Sequence, residues 1–154
     1  MSTFIIGGAT GNIGSALAKI LHERGKPFVV GARDPSRAPK DHKAVAFDWN
    51  DRSTFENPFK ADPTVDRVFF PSPPVFKPLP IAKPFIDFAV SKGVKRFVFV
   101  GASVIESDPN GDLTAPIWDY LANLGVGYVI LQPTWFAGGR YLRSSLAVKL
   151  TIIH

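Results

Sequence analysis

Hydrophobic positions along this chain follow two different spacings, which predict strands and helices in alternation. Short continuous apolar runs are typical of strands buried on both faces. They predict six strands, at residues 4–6, 28–32, 43–47, 67–70, 96–100 and 128–131. Apolar residues three and four positions apart predict the helices between them. Three helices are predicted: from Ile13 to Gly25, over residues 81–92, and from Pro116 to Gly125. A single helical turn capped by Ser53 is also predicted near Phe55.

Strands that alternate with helices predict an α/β fold with a doubly wound parallel sheet, because right-handed crossovers return each strand to the same direction. We expect the strand order 3-2-1-4-5-6, with ligands at the carboxyl ends of the strands. The length of 154 residues and the lack of a repeat or linker predict a single domain over residues 1–154. Eight of the fourteen prolines lie between Pro58 and Pro84. Apolar residues run through this stretch, so we interpret it as a loop over the cofactor.

Three evenly spaced glycines separate the first strand from the first helix. Gly8 is expected to permit the tight turn, and Gly11 to leave room where a Cβ atom would block a pyrophosphate. Gly14 is expected to let the helix pack closely on the strand. The first amides of the helix would then face an anion. This order of strand, glycine turn and helix predicts a dinucleotide-binding site, so we expect residues 1–154 to form a single NAD(P)-binding Rossmann domain.

The end of the second strand carries basic residues where an acidic one would hold the ribose 2′-hydroxyl of NAD. Arg33 comes first there, and Arg37 is near enough to reach the same corner. A guanidinium matches a 2′-phosphate in charge and geometry, so NADP(H) is the preferred cofactor and NAD(H) the second choice. The structural alternative is a surface arginine paired with Asp34. Asp48, after the third strand, is a candidate acceptor for the adenine amino group, or else a solvated carboxylate.

The fourth and fifth strands deliver further candidate residues to the same edge of the sheet. Backbone atoms of Pro71, Ser72 and Pro73 are expected to line the adenosine ribose. Ser103 follows the fifth strand, where a hydroxyl would polarise a substrate carbonyl near the nicotinamide. A serine that only caps the strand is the alternative.

Two other kinds of site find no support in the residue spacing. A tyrosine followed by lysine four residues later would form a proton relay, but Tyr120 and Tyr141 both lack that lysine. The histidines His22, His42 and His154 fall on a helix, in a loop and at the terminus. They are not expected to converge on the strand ends, and no metal-ligand spacing occurs.

The lack of cysteine, the distribution of charge and the lack of long apolar segments exclude several kinds of site and partner. The chain has no cysteine, which excludes disulfides and thiolate metal sites. Its formal charge of +5 is spread along the sequence without a basic stripe, so no nucleic-acid partner is expected. No apolar segment is long enough to cross a membrane, and no leader pattern precedes the first strand, so we expect a cytoplasmic protein without a membrane partner.

Four stretches occur together in one order: Gly-Ala-Thr-Gly-Asn-Ile-Gly at 8–14, Gly-Ala-Arg-Asp-Pro at 31–35, Gly-Val-Lys-Arg-Phe-Val at 93–98 and Leu-Gln-Pro-Thr-Trp-Phe at 131–136. In this combination the chain resembles the NmrA-like atypical short-chain dehydrogenase/reductases. The most similar subgroup is that of fungal ergot-alkaloid (agroclavine or festuclavine) dehydrogenases. The resemblance implies an oxidoreductase that transfers hydride to a carbonyl or iminium carbon of a small organic substrate, with secondary metabolites among the candidates.

The resemblance also implies roles for particular residues. It places the pyrophosphate on Gly8, Thr10, Gly11, Asn12 and Ile13. It assigns the 2′-phosphate to Arg33 and the adenosine side to Pro71–Pro73. Ser103 and the turn formed by Pro133, Trp135 and Phe136 would border the nicotinamide and the substrate.

The chain departs from this family in three ways. Residues 115–119 read Ala-Pro-Ile-Trp-Asp, where members usually carry a lysine or histidine. Residues 137–139 are Ala-Gly-Gly in place of a polar pair. Members also continue well beyond this length, so the chain looks like the cofactor half of such a protein. The alternatives are a non-catalytic NAD(P)-sensing regulatory protein and a truncated remnant.

The tail after the sixth strand is unusually apolar, with Leu146, Leu150, Ile152 and Ile153. Such residues need a surface to pack on. Either the tail folds back on the edge of the sheet, or it pairs with a second molecule. We expect the second outcome, a homodimer formed through the last strand or the tail.

Overall fold

The computed structural model describes residues 1–101, 115–133 and 148–153. Within these ranges the strands are β1 (Ser2–Ile6), β2 (Phe28–Ala32), β3 (Ala44–Ala46), β4 (Val65–Pro71), β5 (Arg96–Val100), β6 (Gly127–Pro133) and β7 (Val148–Ile153). The α-helices are α1 (Asn12–Glu23), α2 (Asn57–Ala61), α3 (Leu79–Ser91) and α4 (Ala115–Ala122). Single 3₁₀ turns occur at Pro35–Arg37 and Arg52–Thr54.

The strands form one sheet in the order β3-β2-β1-β4-β5-β6-β7. The first six are parallel, as in the pairs Ile5 with Val30 and Phe99 with Ile130. This confirms the predicted order 3-2-1-4-5-6 and the doubly wound α/β fold. β7 extends the sheet antiparallel to β6, with Ile153 opposite Tyr128. The apolar tail therefore pairs within its own chain, the first of the two predicted outcomes; the homodimer stays a prediction.

Successive residues of each central strand pack on opposite faces of the sheet, as the pleat requires. On one face, Phe4 and Phe70 belong to a large core covered by α3 and α4. On the other face, Ile5 and Phe69 join a smaller core with Ala18 of α1. Both faces are thus apolar, which explains why the strands appear in the sequence as continuous hydrophobic runs.

The larger core is organised around an aromatic cluster. Phe85 of α3 is fully buried, and its ring lies 4.8 Å from Phe47, 5.2 Å from Phe55 and 5.9 Å from Phe4, measured between centroids. Edge-to-face pairs of this kind stabilise a fold beyond their buried area. They hold α3 and the segment after β3 against the centre of the sheet.

Three local predictions differ from the structure. The 3₁₀ turn before Phe55 is capped by Asp51, whose carboxylate accepts hydrogen bonds from the Ser53 backbone and hydroxyl at 3.0 and 2.7 Å. Ser53 therefore donates to the cap residue and is not the cap itself. The short helix α2 was not predicted, and α3 starts two residues earlier than expected, at Leu79. Proline is tolerated in the first turn of a helix, which explains both differences.

None of the helices in the described ranges has the length and hydrophobicity that a membrane span requires.

Candidate functional site

The glycine turn after β1 begins one residue earlier than the spacing predicted. Gly7 adopts φ +74°, the left-handed region that glycine enters without steric strain. Its amide donates to Gly31 O at 3.0 Å, and its carbonyl oxygen accepts from the Gly11 amide at 2.9 Å. The tight turn therefore depends on Gly7. Gly8 is buried, with its missing Cβ position 3.1 Å from side-chain atoms of Ile5 and Val30.

The other two glycines pack against the carbonyl of Gly7. A Cβ at Gly11 would lie 2.7 Å from Gly7 O, and a Cβ at Gly14 would lie 2.7 Å from the same oxygen and 2.8 Å from its carbon. The close approach predicted for Gly14 is present. For Gly11 the nearest obstacle is the backbone of the turn itself, so this glycine shapes the cradle before any pyrophosphate enters it.

Helix α1 presents an open N-terminus to this cradle. Gly11 is its N-cap residue, and no side chain of the described residues hydrogen-bonds to the free amides. The first turn contains no acidic residue. The first amides of a helix have no partner within it, and the helix dipole adds positive potential there. Thr10 and Asn12 are exposed beside the amide of Ile13. The site therefore fits the pyrophosphate of a dinucleotide.

The predicted 2′-phosphate residues lie at the neighbouring strand end. Arg33 directly follows β2, and Arg37 ends the next 3₁₀ turn, with both side chains exposed. Asp34 accepts hydrogen bonds from the Ser36 hydroxyl at 2.6 Å and the Ser36 amide at 3.0 Å. These bonds lower the pKa of Asp34, with a smaller contribution from the charge of Arg37. The ion pairs of the described ranges include none between Arg33 and Asp34.

Asp48 is engaged in its own loop. Its carboxylate accepts a hydrogen bond from the Asn50 amide at 2.9 Å, and its backbone amide lies 3.1 Å from the Thr54 hydroxyl. One carboxylate oxygen of Asp48 stabilises the turn. This structural role explains the aspartate at this position without a contact to a ligand. A contact with adenine stays a prediction.

The loop after β4 lies at the same edge as the glycine turn. Pro71 is the last residue of β4, and its ring Cγ is 3.9 Å from the position that a Cβ at Gly7 would take. The Ser72 amide donates to Val100 O at 3.1 Å, which ties this loop to the end of β5. Pro73 is buried. The residues predicted for the adenosine side thus adjoin the predicted pyrophosphate cradle.

The nicotinamide side is described only in part. Pro133 is the final residue of β6. Ser103, Trp135 and Phe136 lie outside the described residues, and their predicted roles stay predictions.

A lysine does reach Tyr120, although not from the same helix. Lys83 of α3 places its Nζ atom 3.0 Å from the Tyr120 hydroxyl and 2.6 Å from a carboxylate oxygen of Asp87. The Tyr120 hydroxyl donates to the other oxygen of Asp87. Burial and the Asp87 carboxylate raise the pKa of Tyr120 above its ordinary value. The cluster keeps the phenol protonated and links α3 to α4.

We expect Tyr120→Phe to destabilise the fold by about 0.5–1 kcal/mol, since a charge-assisted hydrogen bond at a partly exposed site is lost. Burial raises the pKa of Asp87, but hydrogen bonds from Lys83 and Tyr120 outweigh it and hold this pKa below its ordinary value. That stabilisation is present above the pKa of the unfolded chain and is lost as Asp87 becomes protonated. Urea unfolding should therefore show a lower free energy of unfolding for Tyr120→Phe than for the unmodified protein at neutral pH. This difference should become smaller under acid conditions. Unchanged stability with lost reductase activity would contradict this structural role.

Two histidines also come together, although not at the strand ends, and the sequence analysis did not predict this pair. His22 in the last turn of α1 and His42 before β3 have ring centroids 5.3 Å apart. They lie at the amino-end side of the sheet, away from the strand ends that carry the glycine turn. No spacing rule reveals this pair, because the end of α1 and the segment before β3 come together only in the folded protein.

Comparison with known proteins gives consistent results. A family described as NAD(P)H-binding matches residues 8–145. Agroclavine dehydrogenase of Claviceps fusiformis is 37% identical over 138 residues, which cover 87% of this chain and 47% of that protein. Festuclavine synthase II of Penicillium roqueforti (strain FM164) is 36% identical over 141 residues, with 87% and 48% covered. The chain spans about half the length of these relatives. The predicted resemblance to ergot-alkaloid dehydrogenases is confirmed.

Solved structures agree on the fold. An NADPH-dependent quinone oxidoreductase of Escherichia coli, complexed with NADPH, superposes with a TM-score of 0.70 at 21% identity, covering 89% of this chain and 50% of that one. A short-chain dehydrogenase/reductase superfamily protein of Agrobacterium tumefaciens with bound NAD has a TM-score of 0.66 at 17% identity, covering 86% and 48%. Proteins of this architecture therefore hold either nucleotide.

Proposed function

The chain belongs to the NAD(P)H-binding family, and from this premise we propose that it is the cofactor-binding part of an NADP-dependent oxidoreductase. The proposed reaction is hydride transfer to a carbonyl or iminium carbon of a small organic molecule. The names of the fungal relatives, a dehydrogenase and a synthase of two clavine alkaloids, support a substrate of that chemical class.

One observation carries the proposal: the uncapped N-terminus of α1 and two exposed arginines lie at adjoining strand ends. The first amides of α1 suit the pyrophosphate, and no acidic side chain stands in its first turn. Arg33 and Arg37 form no ion pair within the described part of the chain, and two exposed guanidinium groups at this corner suit a 2′-phosphate. This combination favours NADP(H) over NAD(H).

The described tyrosines favour an iminium over a carbonyl substrate. NADPH supplies a hydride, and an iminium becomes a neutral amine on receiving it, whereas a carbonyl also needs a proton from an acid. The Tyr120 phenol is occupied by Asp87 and Lys83, and Tyr128 packs in the larger core. Neither of these two tyrosines is therefore assigned as the acid that a carbonyl substrate needs. We propose an iminium substrate because the fungal relatives are named for alkaloids, which are amines.

The same observation supports a second candidate, an NAD(P)-sensing regulatory protein. Such a protein would bind the nucleotide through the same cradle and would need no proton donor. Both candidates are expected to bind NADPH, and only the oxidoreductase is expected to consume it in the presence of a substrate.

The test compares NADPH consumption with NADPH binding on the same preparation. The probes are an N-methyl dihydroisoquinolinium salt and an aromatic aldehyde of similar size. We expect NADPH oxidation with the iminium salt, at least about tenfold faster than with the aldehyde, since proton donation by a positioned acid typically contributes a hundredfold or more. Binding without consumption of NADPH with either probe would favour the regulatory candidate. Faster reaction with the aldehyde would contradict the iminium preference.

A further inference from the structure

Three side chains capable of binding a metal converge beside the last turn of α1. They are His22, Asp41 and His42, and one nitrogen or oxygen atom from each lies within 4.8 Å of the other two. The nearest pair is His22 Nε2 and Asp41 Oδ2, at 3.1 Å. His22 and Asp41 are exposed and His42 is half-buried, so an ion from solvent has access to all three.

The distances are near those of a first-row divalent ion site. Ligand atoms of tetrahedral zinc lie about 3.3 Å apart, given metal–ligand bonds of about 2.0–2.1 Å. The His22–Asp41 contact already meets this spacing. The third ligand needs a displacement of about 1 Å or more, which side-chain rotation at the protein surface supplies. Two imidazoles with one carboxylate are a donor set suited to Zn²⁺ and neighbouring transition ions.

A simple ion pair between His22 and Asp41 leaves His42 unexplained. The His42 ring packs edge-on against Phe28, with 5.0 Å between centroids, and this contact restricts its orientation. Its Nδ1 atom is buried and has no hydrogen-bond partner in the described structure. The described structure therefore leaves one nitrogen of this ring without a partner, within a cluster of three potential metal ligands.

The surroundings leave room for an ion and its remaining ligands. The cluster lies at one end of a groove of about 480 Å³ that runs along α1 towards Gly8 and Ala9. Glu23 lines the same groove and forms a long ion pair with Lys19, at 3.9 Å. The C-terminal end of α1 adds partial negative charge beside His22. Electrostatics at this end of the groove therefore suit a cation.

The geometry points to a divalent transition-metal site formed by His22, Asp41 and His42, with Zn²⁺ as the fitting ion and water from the groove as the remaining ligand. The site is separate from the nucleotide cradle, since it lies at the opposite end of α1. A bound ion would join the last turn of α1 to the segment before β3. Its expected role is to brace this part of the fold.

The test uses the full chain without a histidine tag, freed of metal by a chelator. Zn²⁺ is titrated calorimetrically, and Co²⁺ is added as a spectroscopic probe of tetrahedral coordination. We expect one Zn²⁺ per chain. His22→Gln, Asp41→Asn and His42→Gln should each weaken Zn²⁺ binding at least about tenfold, because each removes a ligand. Added Zn²⁺ should raise the melting temperature of the unmodified protein and not that of the His22→Gln/His42→Gln double variant.

Two matched controls separate coordination from general attraction. His154→Gln removes the remaining histidine, and Glu23→Gln removes a carboxylate of the groove that lies outside the cluster. Both should change Zn²⁺ affinity less than about threefold, since surface charge effects are small. NADPH binding by each variant reports that the fold is intact. No Zn²⁺ binding by the unmodified protein, or equal binding by the double variant, would overturn the proposal.

Discussion

Gly14→Val is expected to remove detectable NADPH binding and to lower the free energy of unfolding by about 1–3 kcal/mol. A Cβ at this position would stand 2.7 Å from Gly7 O, 2.8 Å from Gly7 C and 3.0 Å from Gly8 N. All three are backbone atoms of the turn, so no side chain can rotate away to relieve the clash. The helix must move off the strand, and its first amides then lose their position at the pyrophosphate. Isothermal titration with NADPH and urea unfolding of the same sample measure both effects.

Gly25→Ala is the matched control at the other end of α1. Gly25 has φ +60°, and an added Cβ would meet no atom within 4 Å. The substitution introduces backbone strain of roughly 1–2 kcal/mol without a collision. A comparable loss of stability with unchanged NADPH affinity would show that the effect at Gly14 is specific to the turn. If Gly14→Val binds NADPH normally, the glycine turn is not the pyrophosphate site.

Arg33→Ala is expected to weaken NADPH binding about ten- to a hundredfold and to leave NADH binding nearly unchanged. Loss of one charge-assisted contact to a 2′-phosphate corresponds to about 1.5–3 kcal/mol. NADH lacks that phosphate, so the guanidinium has nothing to contact. Asp34 is exposed and already accepts hydrogen bonds from Ser36, so removing Arg33 does not leave its carboxylate without a partner. Dissociation constants of NADPH and NADH for the variant and the unmodified protein measure this change in cofactor preference directly.

Arg24→Ala is the matched control for charge. Arg24 is an exposed arginine directly after α1, at the opposite end of that helix from the glycine turn. Its loss lowers the net charge equally and should affect both nucleotides alike. Equal affinity of the unmodified protein for NADPH and NADH would contradict the assignment of Arg33. If the unmodified protein prefers NADPH and Arg33→Ala keeps that preference, the Arg33→Ala/Arg37→Ala double variant shows whether the second arginine supplies the contact.

Local sequence was sufficient to predict the six parallel strands because most of them are buried on both faces, whereas β7 was not predicted. Continuous runs such as residues 96–100 leave little ambiguity, and the observed β5 has the same bounds. The alternation of strands and helices predicted parallel pairing, and the expected order came from the doubly wound dinucleotide-binding fold. The sequence analysis placed the start of the turn at Gly8, whereas the structure places it at Gly7. Two adjacent glycines cannot be told apart from sequence, since only the backbone angle identifies Gly7 as the left-handed residue.

Side-chain clusters that join distant segments could not be predicted in the same way. Lys83 meets Tyr120 across two helices, 37 positions apart. His22 and His42 meet because α1 returns to the end of the sheet from which the next strands start. Neither pairing leaves a periodic signal in the sequence. The residues predicted for the cofactor follow the ends of parallel strands, which lie at one edge of the sheet, and their contacts with the cofactor stay predictions.

The reversed direction of β7 determines where the two ends of the described chain emerge. β1 starts at Ser2, and β7 runs opposite to the six parallel strands, so Ile153 lies level with Tyr128 near the start of β6. Both points are on the amino edge of the sheet, four strands apart and therefore about 19 Å from each other. The glycine turn lies on the opposite edge. A fluorophore or a surface linker attached at the exposed Met1, next to Ser2, would leave the nucleotide cradle accessible, which makes single-molecule measurements of cofactor exchange practical with this chain.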